Sequence, residues 1–315
     1  MTAASLSDLR PETEAVLRRL EYVVRNKLDG LLQGNYLGLV PGPGSEAGES
    51  RQYFPGDDVR RMDWPVTART MTPHVRQTVA DRELETWLVC DLSPSLDFGT
   101  VNMEKRELVL AAATAIAHLT TKSGNRIGAV ATNGEQMYRI PAMGGTNHAR
   151  FLLRRLAVTP RATSSRADDL RAALEQVRRP PRRRGMVAVI SDFLGTPDWE
   201  RPLRGLGDRH ELLGVEIIDP RELDLPPAGL VTFVDPESGE QLEVQTSDSN
   251  LRQRYALAAR EQREQIASML RRAGADHLQL RTDSDWLSDI AKFVVTRRRG
   301  VAVRPPSRAG MLGVH

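Results

Sequence analysis

Thr86-Trp-Leu-Val-Cys-Asp-Leu-Ser-Pro-Ser95 is a short apolar run that ends in Asp91, with Ser93 and Ser95 following at alternating positions. In an open α/β sheet the loops at the carboxyl ends of strands line the ligand crevice. One carboxylate and two hydroxyls at such a place are hard oxygen donors, the kind that Mg²⁺ or Mn²⁺ takes. The same residues also suit a plain strand-to-helix turn, in which Asp and Ser satisfy backbone donors.

The flanking sequence alternates strands and helices. Leu84–Cys90 reads as a strand, and Glu104–Thr121 as an alanine-rich helix that is apolar most of the way round and therefore well buried. Ser123-Gly124-Asn125 turns the chain into a strand at Ile127–Ala131, with Gln136–Ile140 as its neighbour. Ala149–Leu156 and Asp168–Val177 have helical patterns. Met186–Ile190 and Leu212–Ile218 are apolar strands ending at Ser191-Asp192 and Asp219-Pro220. This order predicts an α/β fold with a mostly parallel, doubly wound sheet. Val231–Val234 and Gln241–Gln245 form an expected hairpin. A long amphipathic helix from Leu251 is ended by Gly274, followed by a strand at His277–Leu280 and a helix at Ser284–Val295.

Upstream, Glu12–Gln33 carries a helical period, and Pro41-Gly-Pro-Gly44 breaks it. Residues 51–80, punctuated by Pro55, Gly56, Pro65 and Pro73, read as loops and short strands rather than a helix. The expected division is an N-terminal segment at 1–83, an α/β domain at 84–300 with a hairpin insertion near 229–247, and a disordered tail at 301–315.

Asp192 ends its strand as Asp91 does, so both carboxylates should leave the same sheet edge and face one crevice. A pair separated by so much chain suits a metal site better than a local turn. Asp91-Leu-Ser-Pro-Ser95 resembles the Asp-x-Ser-x-Ser motif of von Willebrand factor type A domains. That resemblance implies a metal-ion-dependent adhesion site, with Asp192 matching an aspartate the family brings from another loop. Further upstream, Arg51-Gln-Tyr-Phe-Pro-Gly-Asp-Asp-Val-Arg-Arg-Met-Asp-Trp64 and Thr67-Ala-Arg69 resemble the hallmark of domain of unknown function 58. Leu96-Asp-Phe-Gly99 and Ile190-Ser-Asp-Phe193 match its wording too. In that family the hallmark stands just ahead of a von Willebrand A-like core.

Residues 51–69 mix Arg51, Arg60, Arg61 and Arg69 with Asp57, Asp58 and Asp63, beside Tyr53 and Trp64. Such a mixture can fold into an arginine–carboxylate network with aromatic plugs that fixes a loop-rich subdomain to the sheet. The functional alternative is a partner-binding surface made by Arg51, Tyr53, Asp57, Asp58, Arg60, Asp63, Trp64 and Arg69.

The adhesion-site family also supplies a threonine, ahead of the helix leading to the Asp192 strand. Asp168 takes its place here, with Thr163, Ser164 and Ser165 close by. Gly144-Gly145-Thr146-Asn147 resembles the wording of many adhesion sites but comes one helix too early. An inward Asp168 would add a third carboxylate. Either a divalent ion relieves the repulsion, or an arginine fills the gap and no metal is needed. The expected metal set is thus Asp91, Ser93, Ser95, Asp168 and Asp192, holding Mg²⁺ or Mn²⁺.

The bulk numbers narrow the function classes. The chain has 315 residues, 40% of them hydrophobic and 27% charged, which fits a globular protein with a substantial core. No window has the run of about 18–20 apolar residues that a membrane span needs. The polar N-terminus and the single cysteine, Cys90, point to the cytoplasm. Net charge is +3, and Arg178–Arg184 and Arg297–Arg299 are basic, yet no aromatics interleave them and no nucleic-acid-binding signature accompanies them. Nucleic acid is therefore not an expected partner. There is no phosphate-binding glycine loop with Lys-Ser/Thr, no Gly-x-Ser-x-Gly elbow and no Cys/His ligand cluster. The resemblance implies a non-enzymatic adaptor acting with a MoxR-type AAA+ ATPase on a client protein. The rival is a metal-dependent phosphohydrolase centred on Asp91, against which the usual second acid is replaced by Ser93.

Overall fold

Strands that are apolar along their whole length are stable only when both faces are covered. The computed structural model describes residues 11–32, 50–54, 59, 62–76, 84–163, 169–178, 184–235 and 239–303. The elements run α1 (Pro11–Val23), α2 (Asp29–Leu31), β1 (Ser50–Gln52), α3 (Trp64–Thr70), β2 (His74–Arg76), β3 (Glu85–Asp91), α4 (Lys105–Lys122), β4 (Arg126–Thr132) and β5 (Met137–Met143). They continue with α5 (Thr146–Ala157), α6 (Asp169–Arg178), β6 (Gly185–Ser191), α7 (Glu200–Leu206), β7 (His210–Ile218), β8 (Leu230–Val234), β9 (Gln241–Gln245), α8 (Ser249–Arg272), β10 (Ala275–Arg281) and α9 (Trp286–Val303).

Six strands form the central sheet in the order β10-β7-β6-β3-β4-β5. All neighbours are parallel except β5, which runs antiparallel to β4 on one edge. The sheet is therefore the doubly wound, mostly parallel one expected. The chain enters at β3 in the middle, builds outward through β4 and β5, then returns to lay down β6, β7 and β10 on the other side. The strand order reverses between β3 and β6, and the loops leaving these two strands diverge there. Cys90 pairs with Ile190 in that register, so Asp91 and Ser191 end their strands level with one another.

The strand period of two sorts side chains into two cores. Leu88, Cys90, Ala188, Ile190, Val215 and Ile217 face α1, α4, α5 and α9, whereas Trp87, Val89, Val187 and Val189 face α6, α7 and α8. Helix α4 is buried along nearly its whole length, from Lys105 to Thr120, as its alanine-rich sequence requires. Each fully buried leucine there, such as Leu108 or Leu119, contributes about 1.5–3 kcal/mol over an exposed one. Gly185 has no room for a side chain, because a Cβ there would lie 1.9 Å from the Glu85 carbonyl oxygen across β3–β6.

Several elements differ from expectation. The N-terminal helix is interrupted by a π-helical turn at Val24–Leu28, in which Val24 and Leu28 both stay buried. Residues 51–80, expected to be without helix, contain α3. Asp63 caps it by accepting from Val66 N at 3.3 Å, and Pro65 sits in its first turn, where a missing N–H costs nothing. The short helix α7 was not anticipated, since Pro202 and Gly205 obscure its pattern. Helix α8 ends as expected at Gly274, whose φ of 78° is the left-handed cap glycine tolerates. Helix α9 runs to Val303, into the segment expected as tail; residues 1–10 and 304–315 lie outside the described residues. The hairpin β8–β9 is antiparallel and separate from the main sheet.

Candidate functional site

Asp91 is carried to the sheet edge by β3, and the next residues fold back on its carboxylate. Ser93 N donates to Asp91 Oδ1 at 3.0 Å, and from the neighbouring strand Ser191 Oγ donates to Oδ2 at 2.7 Å. The Ser93 and Ser95 hydroxyl oxygens are 3.1 Å apart. The Ser95 hydroxyl in turn hydrogen-bonds the Asp192 carboxylate, whose Oδ1 accepts from Leu194 N at 3.1 Å. Asp91, Ser93, Ser95 and Asp192 thus form an arc of oxygens across the β3/β6 switch point, where ligands bind in this class of sheet. Phe193, next in the chain, has φ 56°, a left-handed conformation that is strained for a bulky residue. Its N–H bond to Ser191 Oγ at 3.0 Å and its ring packed 4.9 Å from Trp199 hold it there.

The two carboxylates differ in charge environment. Burial, followed by repulsion from Asp192, pushes the Asp91 pKa up to about 6 against the pull of its serine hydrogen bonds. Burial acts on Asp192 the same way, but the Lys105 ammonium outweighs it and holds that carboxyl below the usual range. Lys105 Nζ lies 2.7 Å from Asp192 Oδ2 and also bonds Glu222 Oε1. Arg263 continues the network, donating to the Asp192 carbonyl at 3.1 Å, to Glu216 Oε1 at 3.0 Å and to Glu222 Oε2 at 2.8 Å. His277 Nε2 lies 2.8 Å from Glu216 Oε2, to which Gln279 also donates at 2.9 Å. Asp219, after β7, accepts from Thr100 N at 3.0 Å, Thr100 Oγ1 at 2.6 Å, Thr282 Oγ1 at 2.9 Å and Arg221 N at 2.9 Å. It clasps the loops that follow β3, β7 and β10.

Lys105, Arg106, Glu216 and Arg263 were missed by sequence reasoning, although each left a signal. Lys105 and Arg106 stand in the first turn of α4, where cations oppose the helix dipole. Arg106 is buried and donates to the Leu92 carbonyl at 3.1 Å and Asp97 Oδ1 at 3.0 Å, fixing the Asp91 loop. Glu216 interrupts an apolar strand, and Arg263 falls on the buried stripe of α8 with Ala259, Ile266 and Leu270.

Other sequence-predicted residues are placed less centrally. Asp168 lies outside the described residues, as do Asp57, Asp58 and Arg60. The loop ahead of α6 does reach the site edge, because Arg161 pairs with Asp97 at 3.6 Å and Thr163 N donates to Glu135 Oε1 at 3.3 Å. Gly144–Asn147 follow β5, whose Met143 pairs with Ile127 at the start of β4, so they sit at the opposite sheet edge from Asp91. In the signature segment, Arg51 pairs through its backbone with Val75 in β1–β2, and Tyr53 N donates to the Pro73 carbonyl at 2.8 Å. Asp63 is buried at its cap, whereas Arg69 is exposed. Trp64 is not a plug: it is 67% exposed, and Phe54, Val59 and Met71 along the same segment are exposed as well.

The residues present fit a small hard cation. Two ligands at 2.0–2.1 Å and right angles are roughly 2.9–3.0 Å apart, close to the 3.1 Å between Ser93 Oγ and Ser95 Oγ. Among the described residues, no three His, Cys, Asp or Glu side chains come together as a metal cage. Asp91, Ser93 and Ser95, with Asp192 beside them, are the residues that would hold such an ion. They leave positions for water or for an oxygen from outside. Bound there, the ion would supply Lewis-acid attraction for a carboxylate.

A family profile described as "Protein of unknown function DUF58" matches residues 49–265. An uncharacterized protein of Mycobacterium tuberculosis H37Rv is 55% identical over 290 residues, covering 92% of this chain and 91% of its own length. An uncharacterized protein of Mycobacterium avium is 47% identical over 164 residues, 52% of this chain and 96% of its own length. Among solved structures, an aerotolerance-related membrane protein from Bacteroides fragilis, carrying multiple mutations to serine, overlaps with a TM-score of 0.45 at 12% identity, over 69% of this chain and 99% of that one. The VWA domain of SpRpn10 gives a TM-score of 0.36 at 13% identity, over 68% and 95%. No helix among the described residues is long and apolar enough to cross a membrane.

Proposed function

The chain belongs to the DUF58 family, and we propose that within it this protein is a non-enzymatic adaptor that captures an acidic group of a partner through Mg²⁺ or Mn²⁺ at the Asp91 site. The observation that carries this reading is the oxygen arc of Asp91, Ser93, Ser95 and Asp192 at the switch point, where burial first and the Asp192 charge second raise the Asp91 pKa. A divalent ion relieves that repulsion, and its remaining positions suit a partner's carboxylate. The exposed Trp64 and Phe54 of the signature segment supply a second contact region, since large aromatics dominate protein interfaces. The resemblance to domain of unknown function 58 supports a MoxR-type AAA+ ATPase as the partner, with the pair acting on a client protein in the cytoplasm. A phosphohydrolase built on Asp91 is disfavoured, because the position two residues on, where the second acid of such a site usually stands, is Ser93.

The test is co-purification with a MoxR-type ATPase, using wild type, wild type in EDTA, and Asp91→Ala. Loss of the complex in both altered conditions is expected. A complex indifferent to both would remove the metal bridge from the mechanism and shift attention to residues 51–69.

A further inference from the structure

Lys105 occupies a place where a lysine is costly. Its side chain is 1% exposed, and it sits in the first turn of α4, where the helix dipole disfavours positive charge. It is held there by Asp192 at 2.7 Å and by Glu222, while Arg263 secures the far oxygen of Glu222 at 2.8 Å and the Asp192 carbonyl at 3.1 Å. Asp192 is also the acid that closes the oxygen arc through Ser95. A divalent ion drawn to Asp91 therefore meets, on the opposite side of the arc, a carboxylate whose charge is already matched, with a fixed ammonium behind it. Like charges at such range in a buried setting repel strongly.

We propose that Lys105 is a resident counter-ion that weakens this site's hold on Mg²⁺ and Mn²⁺. The inference rests on the reading of Asp91, Ser93, Ser95 and Asp192 as a cation site. It adds that the site's affinity is set by a residue that does not ligate the ion. Under this arrangement a partner's carboxylate contributes a large share of the negative charge that retains the metal, so ion and partner bind cooperatively.

The experiment is a calorimetric titration of the full chain with Mn²⁺, comparing wild type, Lys105→Met and the double variant Lys105→Met/Glu222→Gln. The double variant removes one carboxylate with the ammonium, so a folded protein is available if the single variant proves unstable; circular dichroism checks both. Both variants should bind Mn²⁺ about tenfold tighter than wild type, or more, and Mg²⁺ should raise their melting temperatures further than it raises that of wild type. Adding Asp91→Asn should abolish the gain. Binding by wild type with equal or weaker binding by the folded variants would overturn the inference and leave the cation site standing. A gain that survives Asp91→Asn would overturn it too, by placing the ion elsewhere. Silence from all the proteins would remove the cation site and the inference together, whereas silence from wild type alone would support the inference.

Discussion

β3 ends in one aspartate and the loop leaving β7 begins with another at the same sheet edge, and the two are treated in opposite ways. Asp219, after β7, accepts four hydrogen bonds from Thr100, Thr282 and Arg221, and its carboxyl is held below the usual range: burial pushes it up, but the Thr100 contacts and the rest outweigh that. Asp91, after β3, receives serine donors and faces another carboxylate, and its carboxyl is pushed up to about 6. The β7 side extends into a network in which Glu216, Glu222 and Asp192 are matched by Arg263 and Lys105. On one side of the switch point the acids are paired with cations, whereas Asp91 on the other side is buried beside a second carboxylate; under the proposed function that difference is what an external cation would answer.

That contrast breaks most severely at Arg263. Arg263→Met keeps an unbranched apolar stem but strands Glu216, which is 0% exposed, with His277 and Gln279 as its remaining polar partners among the described residues. Removing one member of a buried ion network while leaving the other costs about 3–5 kcal/mol. Thermal or urea unfolding should register a loss of that size, well beyond the effect of any change at Asp91. A loss under about 1 kcal/mol would mean that water reaches Glu216 and that the β7 side is not the rigid half.

Asp219→Asn comes next, at about 1–3 kcal/mol for a charged acceptor replaced by a neutral one. Its pH dependence has a definite sign. Because the folded carboxyl titrates below its ordinary value of 3.8, its stabilisation is complete above that value and disappears as pH falls through the folded value. The melting-temperature gap between wild type and Asp219→Asn should stay constant from neutral pH downward, then close in acid below 3.8. A gap that widens on acidification would contradict the depressed value.

How far these sites could be read from sequence depends on the kind of residue. The strands β3 and β6 were legible because their apolar runs are continuous, β7 because its run is interrupted only by Glu216, and Asp91 and Asp192 because acids follow the runs of β3 and β6. Topology then forces both acids to one edge, so their meeting followed from the strand order alone. The counter-ions were harder. Lys105 and Arg263 act across long sequence separations, and only their misplacement betrayed them: a cation at a helix N-terminus and a charge on an apolar stripe. Sequence left open whether a divalent ion or an arginine meets the acids; beside Asp192 the cation is a lysine, with an arginine one step behind it. Helix α3 was hidden because its signal is a cap and a first-turn proline within residues rich in breakers. Exposure is invisible to pattern, so Trp64 read equally well as plug or as contact.

The smallest expected effect is the sharpest discriminator. At an ordinary buried and hydrogen-bonded aspartate, removing the charge lowers stability. At Asp91 the ionised form is resisted by burial and by Asp192, so neutralising it removes a repulsion along with a charged acceptor. Asparagine retains one oxygen for Ser93 N or Ser191 Oγ, and the Ser191 hydroxyl can turn to accept from the new amide. In EDTA at neutral pH, Asp91→Asn should therefore melt within about 1 kcal/mol of wild type, on the stabilising side. In millimolar Mg²⁺ the order should reverse, because wild type alone gains from the ion. A variant that is clearly destabilised in EDTA would show that Asp91 is held like Asp219, and the two sides of the switch point would then be the same kind of structure.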